Sequence, residues 1–350
     1  MSRTRLGYVF SVLVVALVAV FALSAINPAD AQQRKPMRIA TSAVGSYGYG
    51  IAALLAKVIE GALGGEYTVT VQPYTSPTVA MKAVMNGEAE ISYTADIGMG
   101  QFYQRVGGFK DYKPKMPELV HTWYSYPMES MLAVAAKAKD ADKFKCWRDF
   151  SGKPVFYTNA GFMNWLNWQR IYKALGYEFK HVQIDLKSNA DAMESGSIVG
   201  SGTYTTAGRS LPSYWKETEI RIDIRVVNPC PDEVAKIKAA GLSVIEVDPK
   251  AAFSKNVGPS TLLGVGILFG HNVGINIPED VVYKMVTAFY KSKDDLVKGD
   301  PGFTPMAKNF VGMQVDGINA NPDIPVHPGL VRFLKEHKAW NPKWKVAGSK

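Results

Sequence analysis

The side chains with chemistry to offer are neutral hydroxyls and amides set at the starts of helices, not a catalytic constellation. Ser42, Ser46 and Tyr47 stand in the segment Thr41–Gly48, between the apolar run Arg38-Ile39-Ala40 and an amphipathic stretch. A strand that passes into a helix through small hydroxylated residues leaves the first helical N–H groups without partners, and such groups hold anions. Tyr74, Thr75 and Ser76 repeat the arrangement, with Ser76-Pro77 reading as an N-cap followed by proline at the first helical position. Thr94 and Asp96 follow a third apolar run. There Asp96 would receive a ligand amine, organise a donor, or simply cap a helix over 97–105. Asn159 and Asn164 flank Phe162 at the start of an aromatic-rich helix. Amides beside an aromatic wall suit a ligand with a flat or apolar body and a polar end. Trp168 and Tyr172, further along that helix, read instead as a core stripe. Tyr204, Thr205 and Thr206 give three successive hydroxyls after another apolar run, for which an ST-turn is the plainer reading. Tyr124 and Tyr126 precede Pro127 where the chain crosses between two halves, and they suit either a cleft floor or interface packing.

No nucleophile elbow, no Ser/His/Asp set and no Cys/His spacing for zinc accompanies these residues. The chemistry is that of binding, with no catalytic residue, cofactor or metal expected. A buried ligand charge needs hydrogen-bond donors of the kind gathered here.

The elements that must position these groups alternate between strand and helix. Ile51, Leu54, Leu55, Val58, Ile59 and Ala62 repeat at i, i+3, i+4, i+7 and i+8, which predicts a helix with one buried stripe. Strands are predicted over 67–72, 89–93, 119–124 and 131–136, with a helix between the first two that ends at Gly87. A second set follows: strands over 154–157, 181–186, 198–203 and 222–227, and helices over 162–175, closed by Gly176, and 190–195, closed by Gly196. Leu262–Ile275 is apolar and broken by glycine. Pro278, Glu279 and Asp280 then start a helix whose buried face is Val281, Val282, Met285, Val286, Phe289 and Tyr290. The segment 319–328, rich in Pro and Asn, reads as surface tail. The fold class is α/β, with two lobes, each a mostly parallel sheet flanked by helices, and a hinge cleft between them. The expected division is lobe 1 at 36–136 plus 265–350 and lobe 2 at 137–264.

Composition sets the setting. Arg3 and Arg5 precede an apolar run from Leu6 to Leu23, and Ala29-Asp30-Ala31 has the small-x-small form of a cleavage site. Residues 1–31 therefore read as a secretory signal, which places the chain in the periplasm; an uncleaved anchor is the alternative, since the run is close to the ~20 residues that span a bilayer. The net charge of +9 raises the question of nucleic acid. The lysines are interleaved with acids, as in Lys137-Ala138-Lys139-Asp140, which is the pattern of a solvated face, so no nucleic-acid partner is expected. An exported compartment permits a bridge between Cys146 and Cys230. The coarse layout puts one before a strand and the other after one, at opposite ends of a sheet, which favours two unpaired thiols.

Four segments carry a resemblance: Ile39-Ala40-Thr41-Ser42 with Gly45-Ser46-Tyr47, Asn86-Gly87-Glu88-Ala89-Glu90-Ile91 followed by Asp96, Ser151-Gly152-Lys153-Pro154-Val155, and Ile277-Pro278-Glu279-Asp280-Val281-Val282-Tyr283. In order and spacing the chain resembles the TAXI class of extracytoplasmic solute-binding proteins, which feed TRAP-type secondary transporters. The resemblance implies a type II-like periplasmic binding protein that captures a small organic anion by hinge closure. It implies delivery to TRAP-type membrane permease subunits, and a monomer. It also implies a glutamate-like or small organic acid ligand. The chain departs from the family pattern at Ala80, where the family has asparagine. It departs again at Gly161-Phe162-Met163-Asn164, where Asn164 takes the family's threonine position, and at Val199-Gly200.

Overall fold

The chain is seen as a computed structural model that describes residues 34–115 and 119–348; the expected signal at 1–31 lies outside the described residues. β1 (Lys35–Thr41) runs through the serine turn into α1 (Tyr47–Ala62), which buries Ile51, Leu55 and Ile59 as their spacing predicts. β2 (Tyr67–Pro73) leads to α2 (Pro77–Met85). Ser76 caps α2 by accepting from the Val79 N–H, and Pro77 stands at its first position. β3 (Ile91–Ala95) hands directly to α3 (Asp96–Gln104).

The chain then departs from expectation. The two strands predicted over 119–124 and 131–136 are one 17-residue strand, β4 (Leu119–Ala135). Ser125, Glu129 and Ser130 obscure it in sequence, yet all three are buried. Beyond it come β5 (Val155–Phe156), α4 (Met163–Leu175), α5 (Asn189–Glu194), β6 (Gly200–Thr206), α6 (Ser213–Arg221) and β7 (Ile224–Val227). The strand predicted over 181–186 reduces to a single bridge between His181 and Val155. α7 (Pro231–Ala239), β8 (Val244–Val247) and α8 (Pro249–Ala252) lead to β9 (Leu262–Gly274), which its glycines do not interrupt. α9 (Glu279–Gly299), α10 (Thr304–Lys308), α11 (Phe310–Ala320) and α12 (Pro328–Glu336) complete the chain. The expected surface tail takes in the exposed end of α11 and an exposed turn at Pro322 and Asp323, and then Ile324, Val326 and His327 are buried ahead of α12, with Val326 bridged to His121 and Val346.

One sheet runs through the fold in the order β2-β1-β3-β9-β4-β6-β5, with β7 added on β4 and β8 on β9. It is mixed, not mostly parallel. β1 and β3 are parallel, as are β5 and β6. The long central strands β4 and β9 run antiparallel to each other, and each is antiparallel to its other partners. β4 and β9 lie between β2-β1-β3 on one side and β6-β5 on the other, and these two sides are the halves of the sheet. The main core spans both halves, while a second core gathers Trp147, Phe150, Tyr157, Trp168 and Tyr172 beneath β4 and β5.

Cys146 and Cys230 are disulfide-bonded, with Cα atoms 5.3 Å apart, which corrects the expectation of free thiols. Glu233 explains the approach. Its buried carboxylate accepts from the backbone N–H groups of Trp147 (3.2 Å), Arg148 (2.6 Å) and Cys230 (2.6 Å) and from the Tyr177 hydroxyl (2.7 Å). It thereby draws the Cys146 turn onto the start of α7. Among the described residues, the one grouping of Cys, His and acids close enough to share a metal is Cys146, Cys230 and Glu233, where the sulfurs are already bonded to each other. No helix among the described residues is long and apolar enough to cross a membrane.

Candidate functional site

The two halves meet at a small cavity. From the first half come Ser42 and Ser46 in the turn before α1, Gly48 in its first turn, Pro77 at the start of α2 and Tyr93 from β3. The second half contributes Phe162, Met163 and Asn164 at the start of α4 and Tyr204 from β6. Met128 of β4 and Phe269 of β9 supply the floor. The free space between them is about 10 Å³, room for roughly one water molecule. The halves touch directly beside it: the Thr78 hydroxyl donates to the Gly161 carbonyl at 2.8 Å. Gly48 is required by close approach, since a Cβ there would lie 2.3 Å from the Tyr93 ring. Gly161 has φ +86, and a Cβ would sit 2.7 Å from Ser76 Oγ.

The cavity is lined with donors. The Ser42 and Ser46 hydroxyls share a hydrogen bond of 2.5 Å, and Ser46 Oγ also accepts from Tyr49 N–H at 3.3 Å. Asn164 is 2% exposed. Its Oδ1 accepts from Ser130 Oγ at 2.5 Å, while its Nδ2 is buried with no partner. Ser130 is held in turn by Asn167 Nδ2 at 2.8 Å. Tyr204, 4% exposed, lines the space from β6. Beneath, Tyr126 O–H donates to the Tyr93 hydroxyl at 2.7 Å. Burial holds the phenols of Tyr47, Tyr93, Tyr126 and Tyr204 well above their ordinary range, so all stay protonated donors.

Of the residues expected at a site, Ser42, Ser46, Asn164 and Tyr204 line the cavity. Tyr126 lies one layer below, against Tyr47 and Phe269. Tyr47 turns away, and its hydroxyl donates to Asp300 at 2.8 Å, where Ser210 Oγ and Gly302 N–H also donate. Tyr74 donates to Gln72 and Thr75 is exposed, both away from the cavity. Ser76 is a cap, packed against Gly161. Thr94 donates to the Met81 sulfur at 3.0 Å. Asp96 opens α3 and accepts from Ile97 N–H at 2.7 Å. Burial raises its carboxyl, and the facing Arg170 opposes that rise. Asn159 donates to the Ile184 carbonyl. Thr205 points through the opposite face of the sheet, donating to Glu129 at 2.7 Å. Thr206 is buried behind Gly302, its hydroxyl unpartnered.

Tyr93, Met128, Ser130 and Phe269 escaped the sequence reading, and Met163 entered it only as a departure from the family pattern. Tyr93 alone carried a signal, as the polar-tipped aromatic of a predicted strand. The others depend on β4 being continuous and on β9 lying beside it.

Residues 39–337 match the model of the NMT1-like family. The chain belongs to the NMT1-like family. No curated protein matches it. Among solved structures, one described as a periplasmic transporter is 12% identical with a TM-score of 0.52, covering 82% of this chain and 96% of that chain. A putative L-cystine ABC transporter from Listeria monocytogenes is 13% identical at TM-score 0.45, covering 77% and 95%. The aliphatic sulphonate binding protein SsuA from Escherichia coli is 13% identical at TM-score 0.43, covering 87% and 84%. This NMT1-like chain therefore has the two-lobed α/β fold of the periplasmic binding proteins.

Proposed function

We propose that this NMT1-like protein is an exported solute-binding protein, not an enzyme, that captures a small organic anion between its halves and delivers it to a membrane transporter. The observation that carries the reading is Asn164 Nδ2, a buried amide donor without a partner, facing the serine pair at the start of α1 across the junction of the halves. A ligand touching both walls stabilises the closed arrangement, which is how hinge closure is driven. The lobes are residues 36–136 with 265–350, and 137–264, joined through β4 and β9. Residues 1–31 are a cleaved signal, the working compartment is the periplasm, and the protein acts as a monomer. The four motifs similar to the TAXI class support a TRAP-type permease as the partner.

The test is thermal unfolding of the exhaustively dialysed protein against a panel of carboxylates, with native mass spectrometry of what co-purifies. Binding raises the melting temperature in proportion to occupancy. A flat response to every acid at millimolar concentration defeats the reading. For the partner, uptake of the identified solute that survives deletion of the TRAP permease genes rules out that transporter.

A further inference from the structure

We infer that the cavity takes a singly charged oxyanion with an apolar body and no ammonium group, an organic acid as opposed to an amino acid; this rests on the solute-binding reading above. Four donors converge on the space with a proton to give. Asn164 Nδ2 has no partner. The Ser42 and Ser46 hydroxyls share one hydrogen bond, which uses one of their two protons. Tyr93 accepts from Tyr126, leaving its own proton free. Tyr204 lines the space, and burial keeps its hydroxyl protonated.

Charged acceptors are absent from the lining. Asn164 Oδ1 is taken by Ser130, and no lining residue is an acid. The acids nearby are committed: Asp300 receives three donors on the far side of Tyr47, and Glu129 receives Thr205 and Gly208 through the other face of the sheet. Asp96 is held in the first turn of α3, facing Arg170. An ammonium group has donors only, and here it would meet neutral oxygens with no carboxylate to balance its buried charge. No lining residue is cationic either, so the anion is met by neutral donors and the α1 N-terminus, which suits one charge and not two. Pro77, Met128, Phe162, Met163 and Phe269 complete the wall, and rings with thioethers suit a flat apolar body. At about 10 Å³ the space as it stands holds no such molecule, so the halves must sit further apart around it.

The test is calorimetric titration with matched pairs that share a body and differ by the α-ammonium: 3-phenylpropanoate against phenylalanine, and 4-methylpentanoate against leucine. The acid of the tightest pair should bind roughly 100-fold more strongly, the scale on which a site rejects a group that it cannot pair. An amino acid binding as tightly as its acid overturns the inference and leaves a solute-binding protein standing. No heat from any pair, together with no response to the wider carboxylate panel, removes the solute-binding reading itself. Asn164→Asp keeps the Ser130 acceptor but turns a donor into a negative charge, and Tyr204→Phe removes one donor without changing shape. With melting of the unliganded variants close to the parent, each should weaken the acid about 10-fold or more. Unchanged affinity in both also overturns the inference.

Discussion

Replacing Glu129 by glutamine should make the protein more stable in a way that depends on pH. Glu129 is 1% exposed on β4, and its Oε2 accepts from Thr205 Oγ1 at 2.7 Å and Gly208 N–H at 3.0 Å. No cation pairs with it among the described residues. Burial pushes its carboxyl from 4.5 up to about 7. Below pH 4.5 the group is protonated whether the chain is folded or not, and it costs nothing. Between pH 4.5 and about 7 the unfolded chain has lost a proton that the folded one keeps, so stability falls as pH rises. At about 1.4 kcal/mol per pH unit, the loss reaches about 3 kcal/mol by pH 8. Glutamine retains an acceptor for Thr205 and Gly208 and never ionises. The assay is urea unfolding of both proteins at pH 5, 6, 7 and 8, read as the difference between them, which cancels every other titrating group. The glutamine variant should gain on the parent by about 2.5 kcal/mol between pH 5 and pH 8. A difference that stays constant with pH refutes the account of Glu129 as a carboxyl kept neutral by burial.

The opposite slope belongs to His271, which stacks on Trp123, has neither ring nitrogen partnered and is pushed by burial down to about 3. Its neutral form stabilises the fold above pH 6.5, and that contribution is lost as pH falls towards 3. His271→Phe should therefore flatten the acid side by about 3 kcal/mol at pH 4.5, seen as a smaller drop in the urea midpoint between pH 7 and 4.5. Reduction of the Cys146–Cys230 bond, which spans 84 residues, should lower stability by about 4–5 kcal/mol, measured by urea unfolding with and without a phosphine reductant. An unchanged midpoint would refute the bond.

Local signals in the sequence were reliable where the cause was local. The Ser46 and Ser76 caps, Pro77 at the start of α2, Gly176 with φ 74 closing α4 and the buried stripe of α1 all form as their residue types require. Errors came where a distant partner decides. The middle of β4 hides buried polar residues that the rest of the fold accommodates: Glu129 meets Thr205, Ser130 meets Asn164 and Asn167, and Ser125 is enclosed with its hydroxyl unpartnered. A single-sequence reading sees those polar residues as a break. The disulfide is unreadable for the same reason, because Glu233 sets the approach of its two ends. At the site, a hydroxyl after a strand says that a turn is polar but not which face it takes. Tyr204 and Thr205 are adjacent, and one faces the cavity while the other serves Glu129.

The hydrogen bond from the Thr78 hydroxyl to the Gly161 carbonyl has a bearing on release as well as capture. It ties the start of α2 to the turn before α4, so the empty protein already holds its two walls together beside the cavity. The space is about 10 Å³, so loading must part those walls, and the net gain is what the ligand's contacts leave after that bond is given up. Unloading lets the same bond form again. A carrier that must surrender its cargo is well served by walls that close on each other once it has gone.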